Sequence, residues 1–329
     1  MVRFSSVATG LGATATAVSG LVIRDAHETE VHNLMYFDPD AASSFTESDV
    51  QAETVHYDAA AMLAMGSLTA EASNHTDVEL AERTIYGVDD RQDWTNSDYP
   101  YSAIGKVLLS NGGRCSGTLI GPRHVLTARH CTPKEGEAVS VRFAPFYYNG
   151  ETRFPGSQVT TYIYYPGGNA NTCEFGSDWA IHILQDRLGD QRGYFGARPM
   201  TSDMLNRDIY YNVSYYVFFP PIRVAPFKKT ALTLTTQQFG YPGDRNNGER
   251  PVRSGGGRIN SQESCSSEGP WWSNIDAQPG QSGGPVWEYP GTGGRYVQGV
   301  LTGTAATQSV VTSSQLMVNT IVAVRNDFP

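Results

Sequence analysis

Past Thr84 the chain is cut into short runs of Val, Ile, Leu, Tyr and Thr, each closed within a few residues by Gly, Pro, Asn or Asp. Ala103-Ile104-Gly105-Lys106-Val107-Leu108-Leu109, Ser116-Gly117-Thr118-Leu119-Ile120, Val139-Ser140-Val141-Arg142-Phe143 and Val297-Gln298-Gly299-Val300-Leu301 are such runs. Asn111-Gly112-Gly113 and Tyr241-Pro242-Gly243-Asp244 are turns between them. Many short strands with frequent turn signals predict an all-β domain, a sandwich or barrels rather than a parallel sheet. Only the last stretch, about Thr320 to Phe328, reads as a helix, and no internal repeat is visible.

Charge divides the chain differently. Residues 21–83 hold thirteen acids against Arg24 and Arg83, a net of −11, whereas 84–329 hold twenty-one cations against twenty acids. An acidic block before a near-neutral body predicts a separable segment. The block lacks cysteine and strand alternation, and its Ala59–Met65 patch allows some helix. It ends at Arg83-Thr84, which reads either as a processing point or as an ordinary linker arginine. Residues 1–20 have the Met1-Val2-Arg3 start, the apolar stretch and the small-x-small Ala15-Thr16-Ala17 of a secretory signal; a disordered N-terminus is the other reading. The division expected is therefore 1–20 signal peptide, 21–83 acidic pro-segment and 84–329 main β-rich domain. Four cysteines suit an oxidising, extracellular compartment. No apolar run reaches the roughly 20 residues of a membrane span, and the scattered basic residues do not form a nucleic-acid footprint. Asn74 and Asn212 head glycosylation sequons. Residues 209–226, dense in Tyr, Phe and Pro, read as a strand pair or an aromatic surface loop.

A serine hydroxyl needs a base within hydrogen-bond reach, and the base needs an orienting acid. Pro279-Gly280-Gln281-Ser282-Gly283-Gly284-Pro285 supplies a serine on a glycine-rich turn. Such a turn can aim the N–H groups of Gly280 and Ser282 at one point, an oxyanion hole. G-x-S-x-G also describes the nucleophile elbow of α/β-hydrolases, where the histidine follows the serine. All seven histidines here (27, 32, 56, 75, 124, 130 and 182) precede Ser282, which excludes that triad. His130 follows an apolar strand and adjoins Cys131, sixteen residues after Cys115. A hairpin would join these two sulfurs and fix the loop that carries the histidine. Cys173 and Cys265 are then left to pair. Within Gly176–Leu184, Asp178 opens an alternating apolar strand and is the candidate acid; Asp186, Asp190 and Asp203 lie in more polar surroundings. His124 and His182 read as structural.

Thr127-Ala128-Arg129-His130-Cys131, Ser177-Asp178-Trp179-Ala180-Ile181 and Gly280-Gln281-Ser282-Gly283-Gly284-Pro285 resemble, in order, the histidine, aspartate and serine motifs of chymotrypsin-like serine proteases. The resemblance covers most of 84–329. It implies two packed six-stranded antiparallel β-barrels with a short C-terminal helix, the triad His130, Asp178 and Ser282, and peptide-bond hydrolysis without metal or cofactor. Thr84–Arg91, Ser116–Pro122, Phe239–Asp244 and Gln281 are similar to the bacterial glutamyl endopeptidase branch. Trypsin-like enzymes carry an Asp at the position of Gln281, which pairs with the freed N-terminal amine; Gln281 cannot form that ion pair.

The resemblance leaves specificity open. Asp276 stands six residues before Ser282, where trypsin-like enzymes hold the base of an Arg/Lys pocket, but glutamyl endopeptidases carry an Asp near this offset too. The pocket strand is Leu301, Thr302 and Gly303, with Leu301 where that branch has a histidine to meet a carboxylate. Leucine cannot donate a hydrogen bond, so acidic specificity loses its best support, and basic, acidic and small or apolar substrates all remain. The expected protein is a secreted monomer acting on proteins or peptides, with no nucleic-acid or membrane partner. The rival is a non-catalytic binding protein of the same fold with an occluded cleft.

Overall fold

The computed structural model describes residues 32–38, 52–73, 91–165, 172–206, 236–265, 269–288, 294–305 and 307–329. The signal stretch, the Arg83-Thr84 junction, both sequons and the aromatic segment 209–226 lie outside these residues. In chain order the strands are β1 (His32–Asn33), β2 (Tyr36–Phe37), β3 (Glu53–Val55), β4 (Gln92–Asp93), β5 (Ile104–Leu109) and β6 (Gly113–Leu119). They continue as β7 (His124–Thr127), β8 (Val141–Pro145), β9 (Ser157–Ile163), β10 (Ala180–Leu184), β11 (Gly196–Ala197) and β12 (Thr236–Gly240). The last six are β13 (Val252–Gly257), β14 (Ile259–Gln262), β15 (Trp271–Ser273), β16 (Pro285–Glu288), β17 (Tyr296–Thr304) and β18 (Ser309–Thr312).

Strands β5, β6, β7, β10, β9 and β8 pair antiparallel in a ring, with β8 returning to β5, and form a closed six-stranded barrel. The second sheet runs β14-β15-β18-β17-β16-β12-β13-β4 and curls into a half-barrel. Among the described residues it contains no ladder between β13 and β14. These are consecutive pieces of chain separated by Arg258, one pairing with β12 and the other with β15. The two-barrel plan is thus present, with the chain itself turning the corner where the first barrel uses a hydrogen-bonded pair.

The sheets share a core. Tyr101 lies between them, 5.1 Å from the Phe239 ring and 6.4 Å from that of Trp287, and Phe195 is 5.4 Å from Trp287. Burial on both faces explains why β5, β7 and β10 show no polar alternation. After the short α2 (Gly189–Arg192), the C-terminal helix, α3 (Gln315–Asp327), begins earlier than its apolar pattern suggests, because Ser314 caps it by accepting a hydrogen bond from the Met317 N–H. Leu316, Met317, Val318, Ile321 and Val324 turn into the common core.

Part of the acidic segment is built into this body. β3 pairs in parallel with β9, and a short helix, α1 (Ala59–Ala64), capped by Asp58, packs on α3. The Asn319 amide donates to the carbonyls of Met62 and Gly66. Alternation was invisible here because strands of two or three residues are too short to show it.

His124 and His182 are fully buried and structural. His124 donates from Nε2 to the Val324 carbonyl at 3.2 Å, and His182 Nε2 meets the Thr132 hydroxyl at 2.8 Å. Burial pushes their pKa values down to about 4 and about 3. Both stay neutral when folded but take a proton near pH 6.5 when unfolded, so the unfolded state binds more protons below that pH and stability falls on acidification. The thermal midpoint should drop between about pH 6.5 and 4, the two groups together removing on the order of a few kcal/mol. His182→Gln should flatten part of that slope; an equally steep profile in the variant would contradict this assignment.

Candidate active site

Strand β7 ends at Thr127, and the next turn, Arg129–Cys131, carries His130. Cys131 is bonded to Cys115 in β6, Cα to Cα 6.2 Å, which ties the histidine turn to the barrel wall. Cys173 and Cys265 pair as well, with Cα atoms 5.5 Å apart. This second bridge holds the turn Thr172–Ser177, just before Asp178, to the chain just after β14. Thr312 of β18 also donates to the Phe175 carbonyl, so the approach to Asp178 is fastened to the second sheet twice.

The three candidates meet at the seam between the sheets. Asp178 accepts from the His130 backbone N–H at 3.0 Å with one oxygen and from His130 Nδ1 at 2.7 Å with the other. With Nδ1 donating, Nε2 is left as an acceptor, and it stands 2.6 Å from Ser282 Oγ. Asp186 and Asp190 lie elsewhere, bonded to Ser157 and Arg187. Cys115, His130 and Cys131 come within ligand distance of one another, yet both sulfurs are spent in the disulfide, leaving a single nitrogen donor.

The serine turn is shaped by two glycines with φ of +99° at Gly280 and +80° at Gly283. A Cβ on Gly280 would strike the Tyr241 carbonyl, and one on Gly283 the Ser116 carbonyl and the Thr127 hydroxyl. No other residue type fits either place. Ser116, in β6, holds the turn from beneath. Its Oγ donates to the Gly280 carbonyl at 2.8 Å and accepts from the Tyr241 N–H at 2.9 Å, and its N–H donates to the Ser282 carbonyl at 2.7 Å. Gln281 is fully buried. Its Nε2 donates to Gln238 Oε1 at 2.7 Å and its Oε1 accepts from the Gln278 N–H at 2.9 Å. A neutral amide network thus stands where an ion pair was excluded. Ser116 opens the family-like stretch Ser116–Pro122 and Gln238 immediately precedes Phe239–Asp244, but the sequence assigns neither residue a role in the site.

An extended piece of the acidic segment lies across Ser282. The ladder pairs His32 with Thr304 and Asn33 with Gly303 of β17 on one side, then Tyr36 with Arg114 and Phe37 with Gly113 of β6 on the other. Between the two ladders, the Leu34 N–H donates to Ser282 Oγ at 3.1 Å and the Leu34 carbonyl accepts from the Gly280 N–H at 2.5 Å. The Leu34 side chain is 1% exposed and belongs to an apolar cluster with Leu301, Trp271, Ile275, Val286 and Val311. Of the other pocket candidates, Thr302 sits at a break in the β17–β18 register and meets the Thr312 hydroxyl at 3.1 Å, and Gly303 faces Asn33. Asp276 is partly exposed and has an interaction partner of its own.

A closed barrel and a half-barrel, with His, Asp and Ser in contact at their seam, define the chymotrypsin-like class of fold. The trypsin family model matches residues 94–321, and the chain belongs to that family. It is 29% identical over 225 residues, 67% of this chain, to the glutamyl endopeptidase of Bacillus licheniformis, and spans 59% of that relative's length. A solved Glu endopeptidase in complex with MPD superposes with a TM-score of 0.55 at 19% identity, covering 74% of this chain and all of that one.

The Ser116 contacts carry a measurable expectation. Ser116→Ala strips buried partners from the Tyr241 N–H and the Gly280 carbonyl and should lower stability by about 1–3 kcal/mol. Chemical denaturation reads this directly, and an unchanged midpoint would show that the hydroxyl does not hold the turn.

Proposed function

We propose that the chain is a secreted serine endopeptidase that hydrolyses peptide bonds through His130, Asp178 and Ser282. The observation that carries the reading is His130 hydrogen-bonded at once to Asp178 at 2.7 Å and Ser282 at 2.6 Å. Asp178 fixes the tautomer with the proton on Nδ1, so Nε2 accepts the serine proton as Oγ attacks a peptide carbonyl. Negative charge then develops on that oxygen beside the N–H groups of Gly280 and Ser282. His130 returns the proton to the departing amine, the acyl-enzyme ester forms, and water repeats the sequence to release the acid. No step calls for a metal or cofactor. The disulfides suit an oxidising compartment, and no helix among the described residues is long and apolar enough to cross a membrane.

In this reading 1–20 is a signal and 21–83 a pro-segment removed at Arg83-Thr84. Membership of the trypsin family and likeness to a glutamyl endopeptidase support a peptidase. A non-catalytic binding protein draws support from one observation: Ser282 is fully covered. The cover, however, includes a segment of the chain itself laid across the cleft.

Ser282→Ala should lower the turnover of casein by roughly a millionfold while leaving the fold intact by circular dichroism. A fluorophosphonate should label the mature wild type at Ser282 and spare the variant. Near-normal turnover by Ser282→Ala would defeat the proposed nucleophile, and a mature protein that neither labels nor hydrolyses casein would establish the binding-protein reading.

A further inference from the structure

We infer that Leu34–Met35 is a substrate bond of this enzyme's own cleft, cut by Ser282 of the same chain, and that the cleft selects a leucine-sized apolar side chain before the scissile bond. The inference rests on the peptidase reading above and adds its substrate class and a self-cleavage site.

Three independent contacts place the bond. First, the Leu34 carbonyl oxygen receives the Gly280 N–H, the group that stabilises a developing oxyanion, and the Leu34 N–H touches Ser282 Oγ. Second, the backbone is extended and paired on both sides, with β17 before the bond and β6 after it. The paired positions lie where β17 runs past β16 and β6 runs past β7, and backbone pairing to such open stretches is how a cleft grips an arbitrary peptide. Third, the Leu34 side chain enters an apolar cluster with Leu301, Trp271, Ile275, Val286 and Val311. Leu301 thus explains what replaces a carboxylate-binding group: it forms part of a surface that accepts leucine and disfavours charge. Beyond the bond, the Tyr36 ring lies against Gly243, where any Cβ would collide with it.

The step balances as ordinary hydrolysis. Ser282 Oγ bonds to the Leu34 carbonyl carbon and its proton passes to His130. The C–N bond to Met35 breaks as that proton reaches the new amine. Water then cleaves the ester, leaving Leu34 as a carboxylate and Met35 as an N-terminus. One water is consumed and Ser282 is regenerated.

The test uses the full chain and a peptide of residues 31–38. N-terminal sequencing of the expressed wild type should find a species beginning at Met35, absent from Ser282→Ala. Added in trans, the peptide should be cut between Leu and Met. Replacing its leucine by Glu or Lys should lower kcat/KM at least about a hundredfold. An intact Leu34–Met35 bond in a wild type that hydrolyses casein would overturn the inference while the peptidase reading stands. The same cut in Ser282→Ala, or Glu or Lys peptides cut as fast as leucine, would also overturn it. A wild type with neither casein hydrolysis nor fluorophosphonate labelling would remove the peptidase reading itself, and this inference with it.

Discussion

Ser116 joins the two sheets at the point where their geometry matters most. A residue in the wall of the first barrel makes four hydrogen bonds through its N–H, carbonyl and hydroxyl, and every partner lies in the site or beside it: Ser282, Gly280, Tyr241 and Thr127. Thr127 is the last residue of the strand that leads to His130. Histidine and serine come from different sheets, so a small slide of one sheet over the other would open the 2.6 Å contact between them. Ser116 blocks that slide, because each of its bonds is buried and a broken one would leave a polar group without water. The left-handed conformations of Gly280 and Gly283 belong to the same constraint: the turn is pressed so closely on β6 and Tyr241 that there is no room for a Cβ.

Gln281 shows how the serine turn is held without a charge. Its amide is closed on one side by Gln238 and on the other by the Gln278 N–H of its own loop. An amide pair requires neither deprotonation nor a free terminal amine to form. The turn therefore takes its shape in a chain whose N-terminal segment is still attached. Arg91 and Asp244 brace the neighbouring loop with a bidentate ion pair at 2.8 and 2.9 Å.

Much of this was legible in the amino-acid order because chemistry restricts it. A nucleophilic serine needs a base within reach and an acid to orient that base, which made His130, Asp178 and Ser282 the candidates, and the structure brings the three into contact. The hairpin logic that paired Cys115 with Cys131 was equally local, and the second bridge followed by elimination. What could not be read has a common cause. Ser116 and Gln238 act by hydrogen bonds to residues more than forty positions away, and polar side chains of their kind are common in strands that do nothing similar. The corner between β13 and β14, the early start of α3 at its Ser314 cap, and the packing of α1 on α3 all depend on tertiary neighbours. Leu34 was hidden for a further reason: two-residue strands carry no periodicity, and a leucine in an acidic stretch has no feature that marks it as an occupant of the cleft.

The strand across Ser282 also has a mechanical meaning. It grips the body through two ladders of two residue pairs each, one on either sheet. A pairing that short is marginal alone. Joined through Leu34 and Met35, the halves behave as a bivalent ligand, since whichever ladder is formed holds the other half at high effective concentration. Severing the middle abolishes that avidity at a stroke. The half before the cut would then be held only by its two pairs on β17, while the half after it stays joined to the body through β3 and α1. A tie of this construction would lose its bivalent hold at a single cut, and the piece that carries Leu34 could then leave Ser282 without any change in the barrels on either side.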